Sequence, residues 1–526
     1  MSKLTDNTLL PGKTAKLTAS GAIVAGKPVI LNSDGTVTQV TETAYSKAIP
    51  SGTESRGNGS TEANMNIDID VDPNTGKVAM VFIDVDSPRY GFIVIGTVSG
   101  TTITWGTPSA FKSQEMYSYS MGVRFDPNTA NSFVITYMHN HSTYAQKQVV
   151  VAGTVSGTSV TLGSEYNHSA GYSTNTSLYN NIIAWDPNTA GRFVYIYNKE
   201  SGSGHSSLIL CTVSSSRAIT AGSEKVYANS TGNLAGWPYS SVIWNPNVAN
   251  ELLVTYQGSG VAKCRVGTVG TTGDHTDGIT YGTETTVASN YAYYFNAAFD
   301  TKTSNSFVMC MSNASSGNGE ALAGTLVGST FTFGTKVTIP QGGSGSGFDV
   351  KFDPNVAGKL VCIYWSHDGS NYRARVNEGS ISGTTLSWNS TADVLTTEPL
   401  DGNANATSLA FMPVGTSPGK FIVAYKMTSS ATNANAIGTK VCQRVSTTTN
   451  MTATNLIGIA DGAIADTASG DISLKGGLAT GGLSGLTPGT DYYAQGNATI
   501  STTTTSPAVK LGKALSSTAI NLEYRS

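Results

Sequence analysis

Along most of this chain, short runs of Val, Ile, Phe, Tyr and Thr alternate with clusters of Gly, Asn, Asp and Ser. That pattern predicts many short strands joined by turns, and no stretch carries apolar residues at the i, i+3, i+4 and i+7 spacing of an amphipathic helix. The predicted class is all-β. One turn keeps returning: "VDPNTGKVAMVF" begins at Val71, "FDPNTANSFVITY" at Phe125, "WDPNTAGRFVYIY" at Trp185, "WNPNVANELLVTY" at Trp244, "FDTKTSNSFVMCM" at Phe299, "FDPNVAGKLVCIY" at Phe352 and "FMPVGTSPGKFIVAY" at Phe411. The second residue of each copy falls at positions 72, 126, 186, 245, 300, 353 and 412. A drifting period of 53 to 60 residues marks a repeat architecture rather than separate domains.

Each unit reads as four strands. In the second copy they are "MGVRF", "FVITYM", "QVVVAGTV" and "SVTLGSEY", joined by "DPNTANS", "HNHSTYAQK" and "SGT". Four antiparallel strands per unit and seven units predict a seven-bladed β-propeller, in which circular closure protects most sheet edges. A linear stack fits less well, because neither end looks like a polar cap. Within the corner, Pro presets φ at the second turn position, and the Asp and Asn side chains accept hydrogen bonds from nearby backbone N–H groups. Gly76, Asn131, Gly191, Asn250, Asn305 and Gly358 then stand where a left-handed conformation is expected. A second signature, "GTVSGTTITWG" at Gly96 and its kin at Gly153, Gly324 and Gly379, reads as the hairpin between the third and fourth strands.

The seventh unit lacks that hairpin, and "GTVTQVTETAYSKAIPSGTES" at residues 35–55 resembles the missing strand and its exit loop. The N-terminal segment is therefore expected to supply the outer strand of the last blade, and deletion of residues 36–50 to destabilise the ring. The expected organisation is an N-terminal β segment at 1–40, the propeller at 41–446 and a C-terminal β-domain at 447–526.

Corners of the first kind and hairpins share one end of each blade and are uniform. The second-to-third loops and the blade-to-blade loops share the other end and differ in every unit, as in "HNHSTYAQK", "YNHSAGYSTNTS" and "ANSTGNLAGWPYSS". Loops on a rigid scaffold present binding groups, and aromatics with Asn and Ser suit carbohydrate or protein contact. The candidate ligand-binding residues are Tyr117, Tyr119, Tyr172, Trp237, Tyr239, Tyr293, Tyr294 and Trp365.

Composition narrows the chemistry. Only 12% of the 526 residues are charged and the net charge is −3, with no Lys/Arg cluster, so no nucleic-acid partner is expected. The start, "MSKLTDNTLL", lacks a signal-peptide core, and no run approaches the ~20 apolar residues of a membrane span, so synthesis in the cytosol without membrane insertion is expected. Cys211, Cys264, Cys310, Cys362 and Cys442 lie in apolar runs and read as buried free thiols.

Asp68, Asp70, Asp72 and Asn74 alternate like the start of a calcium loop. Pro73 replaces the bend glycine, however, and Ala79 the final Glu, so the segment reads as a half-exposed strand. His139, His141 and His168 read as exposed loop histidines, with a shared transition metal as the alternative. Glycosidic cleavage needs two convergent carboxyls, whereas Glu115, Glu165, Glu200, Glu320 and Asp368 are scattered among units. No catalytic residue, metal or cofactor is expected, and the chain is read as not an enzyme.

The two ends carry a resemblance. Ala25-Gly26, Asp34 to Val37, Ile457 to Ile459, Gly485 to Gly489, Tyr492-Tyr493, Lys510 to Ala514 and Ser517-Thr518 resemble segments of structural proteins of tailed bacteriophages, especially marine ones. The resemblance covers about a hundred residues, and the pairing of "GLTPGTDYYAQG" with "GKALSSTAI" is its most specific part. It implies a virion structural protein, a fibre, spike or appendage subunit assembled in the host cytoplasm, a homo-oligomer in contact with other virion proteins. The propeller then sits as an insertion in a split β-domain and displays a face for host-surface glycan. The alternatives are a purely architectural virion protein and a glycan-cleaving propeller enzyme.

Overall fold

The computed structural model describes residues 14–41, 55–56, 63–84, 90–113, 116–139, 147–167, 182–199, 205–229, 240–258, 261–289, 292–313, 315–340, 347–367, 369–396, 400, 407–413, 419–427, 437–443, 449–496, 498–502, 504 and 508–523. Among these the chain is all-β, with no helix. It divides into two compact units, Lys47–Arg444, and Met1–Ser46 together with Val445–Ser526.

In the larger unit the described residues form seven antiparallel sheets in sequence order. Their first strands are Ala63–Val71, Met116–Phe125, Ile183–Trp185, Ser240–Trp244, Ala292–Phe299, Asp349–Phe352 and Thr407–Phe411. Second strands are buried on both faces, as in Ser306–Asn313, and this explains their unbroken apolar runs. Apolar layers lie between neighbouring sheets: Val361, Ile363 and Trp365 of the sixth pack with Leu409, Phe421 and Val423 of the seventh. Ile67, Ile69 and Met80 of the first share a core with Ala410, Ile422 and Val441 of the seventh.

The outer strand of sheets 1 to 6 is in two pieces rather than one. In sheet 2, Ser159–Leu162 pairs with one half of Lys147–Ser156 and Tyr166–Asn167 with the other. A glycine marks each of the first five breaks. At Gly334 a Cβ would collide with the Thr384 carbonyl of the next sheet's hairpin, so the outer strand bends where the neighbour touches it.

The seventh sheet takes its outer strand from Ser55–Arg56, which pairs with Thr439 and Gly438. An N-terminal strand does complete this sheet, at the far end of the segment 35–55 expected to supply it; residues 42–54 lie outside the described residues. Val37–Gln39 instead pairs with Pro28–Leu31 in the smaller unit. "GTVTQV" alternates equally well for either role, and alternation cannot choose a partner.

The recurring corner joins sheets as well as turning the chain. Asn131, Asn250 and Asn305 have φ of 63, 62 and 62°, and Gly76, Gly191 and Gly358 of 71, 72 and 68°. Oδ1 of Asp72, Asp126 and Asp186 accepts from the backbone N of the residue two positions on, at 2.8, 2.9 and 2.8 Å. Oδ2 reaches the next sheet: Asp72 accepts from Asn131 N at 2.7 Å, Asp126 from Gly191 N at 2.9 Å and Asp300 from Gly358 N at 2.7 Å. Motif asparagines reinforce the joint, Asn128 Nδ2 donating to Asp186 O at 2.8 Å and Asn247 Nδ2 to Asp300 O at 3.0 Å. Between sheets 3 and 4 the buried Arg192 mediates, donating to Asp186 and to Asn250 Oδ1.

At the joint from sheet 7 to sheet 1, Met412 stands in place of the Asp. Gly76 N there turns back to Asp72 O at 2.9 Å, facing the Met412 and Pro413 side chains. The first strands supply the missing polar link: Ser408 Oγ accepts from Ile69 N at 3.2 Å and donates to Asp68 Oδ1 at 2.8 Å.

In the smaller unit both chain segments share one sheet, ordered Thr14–Thr18, Ser469–Leu474, Leu456–Ala460, Pro28–Leu31 and Val37–Gln39. Thr41 and Asn450 face each other across the gap where the larger unit departs, Thr41 N donating to Asn450 Oδ1 at 2.8 Å. A second sheet of five strands spans residues 478–522. Close contacts between the two chain segments and within the C-terminal one hold this unit together. A Cβ on Gly26 would strike the Gly482 backbone, and in the "GLTPGTDYY" segment the Tyr492 hydroxyl accepts from Thr487 N at 3.0 Å.

Asp126→Ala leaves both Asn128 N and Gly191 N without their acceptor. It should lower stability by about 3 kcal/mol, and Asp126→Asn by about half of that. Urea unfolding followed by fluorescence checks this; an Ala variant as stable as the parent refutes the corner's bridging role.

Candidate functional site

The antiparallel registers put two kinds of sheet end in place. In sheet 2, Phe125↔Phe133 and Ser132↔Thr154 stand at the corner end, and Met116↔His139 and His139↔Lys147 at the other. Tyr117, Tyr119, Tyr293 and Tyr294 belong by register to the second end. Tyr117 and Tyr119 fall in a register shift between Met116 and Met121, and Tyr293 and Tyr294 at a shift between Tyr293 and Asn296. Such bulges re-aim side chains at a sheet's rim. The side chains of these four tyrosines, and Tyr172, Trp237 and Tyr239 altogether, lie outside the described residues, as do those of His139, His141 and His168.

Trp365 corrects the expectation. It sits on the second strand of sheet 6, only 4% exposed, in the core shared with sheet 7. Its ring meets Tyr372 edge-on at 4.7 Å and offers no face to a ligand. Being near a loop in sequence did not bring it to the surface, because its strand is covered on both faces.

The acids also take structural roles. Glu165 accepts from the Tyr137 hydroxyl at 2.6 Å and pairs with Lys112 at 2.9 Å, and Glu320 pairs with Lys336 at 3.1 Å. The Asp68–Asp72 segment is more buried than expected: Asp68 and Asp72 are 2% and 0% exposed, and Asp70 alone of the three acids is partly exposed. Their oxygens are occupied by N–H and O–H donors rather than presented to a metal ion.

A concave site does form at the corner end of the first strands. Asp70, Pro73, Lys351, Phe352, Pro354, Ala410, Phe411, Met412 and Pro413, from sheets 1, 6 and 7, line a cavity of ≈ 280 Å³. It opens at the joint where Met412 replaces the motif Asp. Charges gather beside it: Arg124 Nη1 lies 2.5 Å from Asp68 Oδ2, and Lys351 Nζ 3.2 Å from Asp349 Oδ1. Asp70 Oδ2 accepts from Phe125 N at 2.7 Å. Burial pushes the Asp70 carboxyl up to about 6, with Asp68 adding to the rise; Arg124, the Phe125 N–H and Lys351 pull the other way. A sequence signal for this site existed. Two residues before the motif Asp, sheets 1, 2 and 6 carry Asp70, Arg124 and Lys351, where the others carry Ala184, Ile243, Ala298 and Ala410.

The Asp70 shift fixes a pH dependence. Its folded value lies above the ordinary 3.8, so the folded state holds the proton more tightly and this group's contribution to stability falls as pH rises from about 4 to about 6. Asp70→Asn removes that slope. The stability of Asp70→Asn minus that of the parent should grow by about 2 kcal/mol across this window, allowing for screening of a half-buried carboxyl. Paired melting curves check it, and a flat difference refutes it.

No family model matches this chain, and no curated protein does. Distant likenesses to solved structures exist. A protein from Lactobacillus plantarum is 10% identical with a TM-score of 0.41, covering 74% of this chain and 98% of that one. AofleA from Arthrobotrys oligospora is 9% identical with a TM-score of 0.38, covering 69% and 92%. An α-L-arabinanase from Penicillium chrysogenum is 9% identical with a TM-score of 0.39, covering 81% and 99%.

Proposed function

We propose that the seven sheets of the larger unit close into a seven-bladed β-propeller, and that the chain is a structural subunit of a tailed-phage virion. In this reading it is a fibre, spike or appendage component whose variable loops contact host-surface glycan. Closure is supported by the core common to sheets 1 and 7, by the Ser408–Asp68 bond and by the Ser55–Arg56 strand. The smaller unit, where the phage-like residues of both segments meet, serves as the anchor to other virion proteins and to further copies of this chain.

The observation that carries the binding role is the asymmetry of the sheet ends. At the corner end, repeated carboxylates tie one sheet to the next. At the other end the connections repeat no motif and are rich in Tyr, Asn and Ser. A scaffold locked at one end leaves the opposite loops free to diversify without loss of fold. Asp, Glu and His are not gathered there in a pattern that the sequence repeats, and no catalytic step is assigned.

Two measurements test the proposal. Antibody against this chain should label intact virions by electron microscopy. The purified protein should retain on a host-glycan array, with retention reduced by about tenfold or more in Trp237→Ala or in the double variant Tyr293→Ala, Tyr294→Ala. Labelled virions with no glycan retention would leave an architectural role, and unlabelled virions would refute the virion assignment.

A further inference from the structure

The cavity beside Asp70 lies at the corner end, away from the loops assigned to glycan, and its walls have a chemistry of their own. Three prolines, Phe352, Phe411 and Met412 make it largely apolar. Five charged groups stand at or behind it: Asp68, Asp70, Asp349, Arg124 and Lys351. Arg124 is bonded to Asp68 and Lys351 to Asp349. That leaves Asp70 as the surplus anion, with Oδ2 on Phe125 N and the residue among those that line the cavity. An unpaired carboxylate in apolar surroundings is poorly solvated, and a cation brought to it recovers the lost interaction. Lys351 also lines the cavity but is paired with Asp349, so the five groups together are left with one negative charge, which disfavours an anionic ligand, and a neutral apolar one leaves the carboxylate worse solvated than before.

We propose that this cavity binds an aliphatic primary amine, its ammonium on the Asp70 carboxylate and its methylene stem against Phe352, Met412 and the prolines. The volume suits a chain of a few methylenes rather than a polymer, at the small end of ligand pockets. Phe352 and Phe411 add aromatic surface, which favours a cation over an anion. The site exists because the seventh corner departs from the repeat. A motif Asp at position 412 would bring another carboxylate to the joint, where Met412 instead leaves a greasy wall.

The test is calorimetric titration of the full chain near pH 7.5 with four probes of similar length. Cadaverine represents a free polyamine, Nα-acetyl-lysine methylamide a lysine side chain, hexanoate the anion and 1-hexanol the neutral body. At least one amine should bind about tenfold or more tightly than hexanoate or hexanol, the scale of one charge-assisted contact. Its affinity should fall by about tenfold in Asp70→Asn and on lowering the pH to about 5, where Asp70 takes up its proton. Met412→Trp, which fills the cavity and keeps Asp70, should abolish binding, and carries the test with the pH series should Asp70→Asn fail to fold. Which amine binds separates the two sources. Absence of binding by both amines at about 10 mM overturns the proposal. Equal binding of hexanoate, or amine binding indifferent to Met412→Trp, does so too.

Discussion

The larger unit depends on what happens to a buried carboxylate. Asp72, Asp126, Asp186, Asp300 and Asp353 are all buried, and a charge taken out of water must be met by donors. Their own turns supply one N–H and fix the carboxyl group. In three of them the second oxygen then falls on the left-handed residue of the following sheet, whose N–H has no partner in its own ladder. In all but Asp300, proline after the Asp removes an amide that would otherwise need an acceptor in the same crowded corner. A single turn sequence thus sets both the reversal of the chain and the offset to its neighbour.

The period, the turn chemistry and the positive-φ positions were legible in the sequence because they are local. What lay between repeats was not. The motif Asp was readable as a turn cap, but its reach to the next sheet depends on the angle between sheets, which periodicity does not encode. Asp68 read as exposed because it alternates with Ile67 and Ile69. The structure buries both parities by covering the first strand with a neighbour on each side. Trp365 misled for the same reason. The closing strand lies at 55–56, at the end of the expected 35–55 segment, and a two-residue pairing leaves almost no pattern by which to place it.

Departures from the repeat are as informative as the repeat. Arg192 occupies the position that is Lys77 in sheet 1 and Ser132 in sheet 2, and there the joint passes through a guanidinium instead of an amide. Asp277 answers that charge from the longer hairpin of sheet 4, at 2.9 Å. Met412 is the converse case, a joint without charge that relies on Ser408 and Asp68 one turn of pleat away. Buried ionic and apolar solutions to one geometric problem therefore coexist around the unit, each compensated by residues that its own sheet or the next provides.

The bond between Thr41 and Asn450 has an evolutionary corollary. It brings the two severed edges of the smaller unit within a hydrogen bond of each other, so that everything from one residue to the next is, for that host, a loop of zero span. A module whose ends are so stitched can be swapped, lengthened or lost by recombination while its carrier keeps every ladder intact. The two units are then free to change on separate schedules.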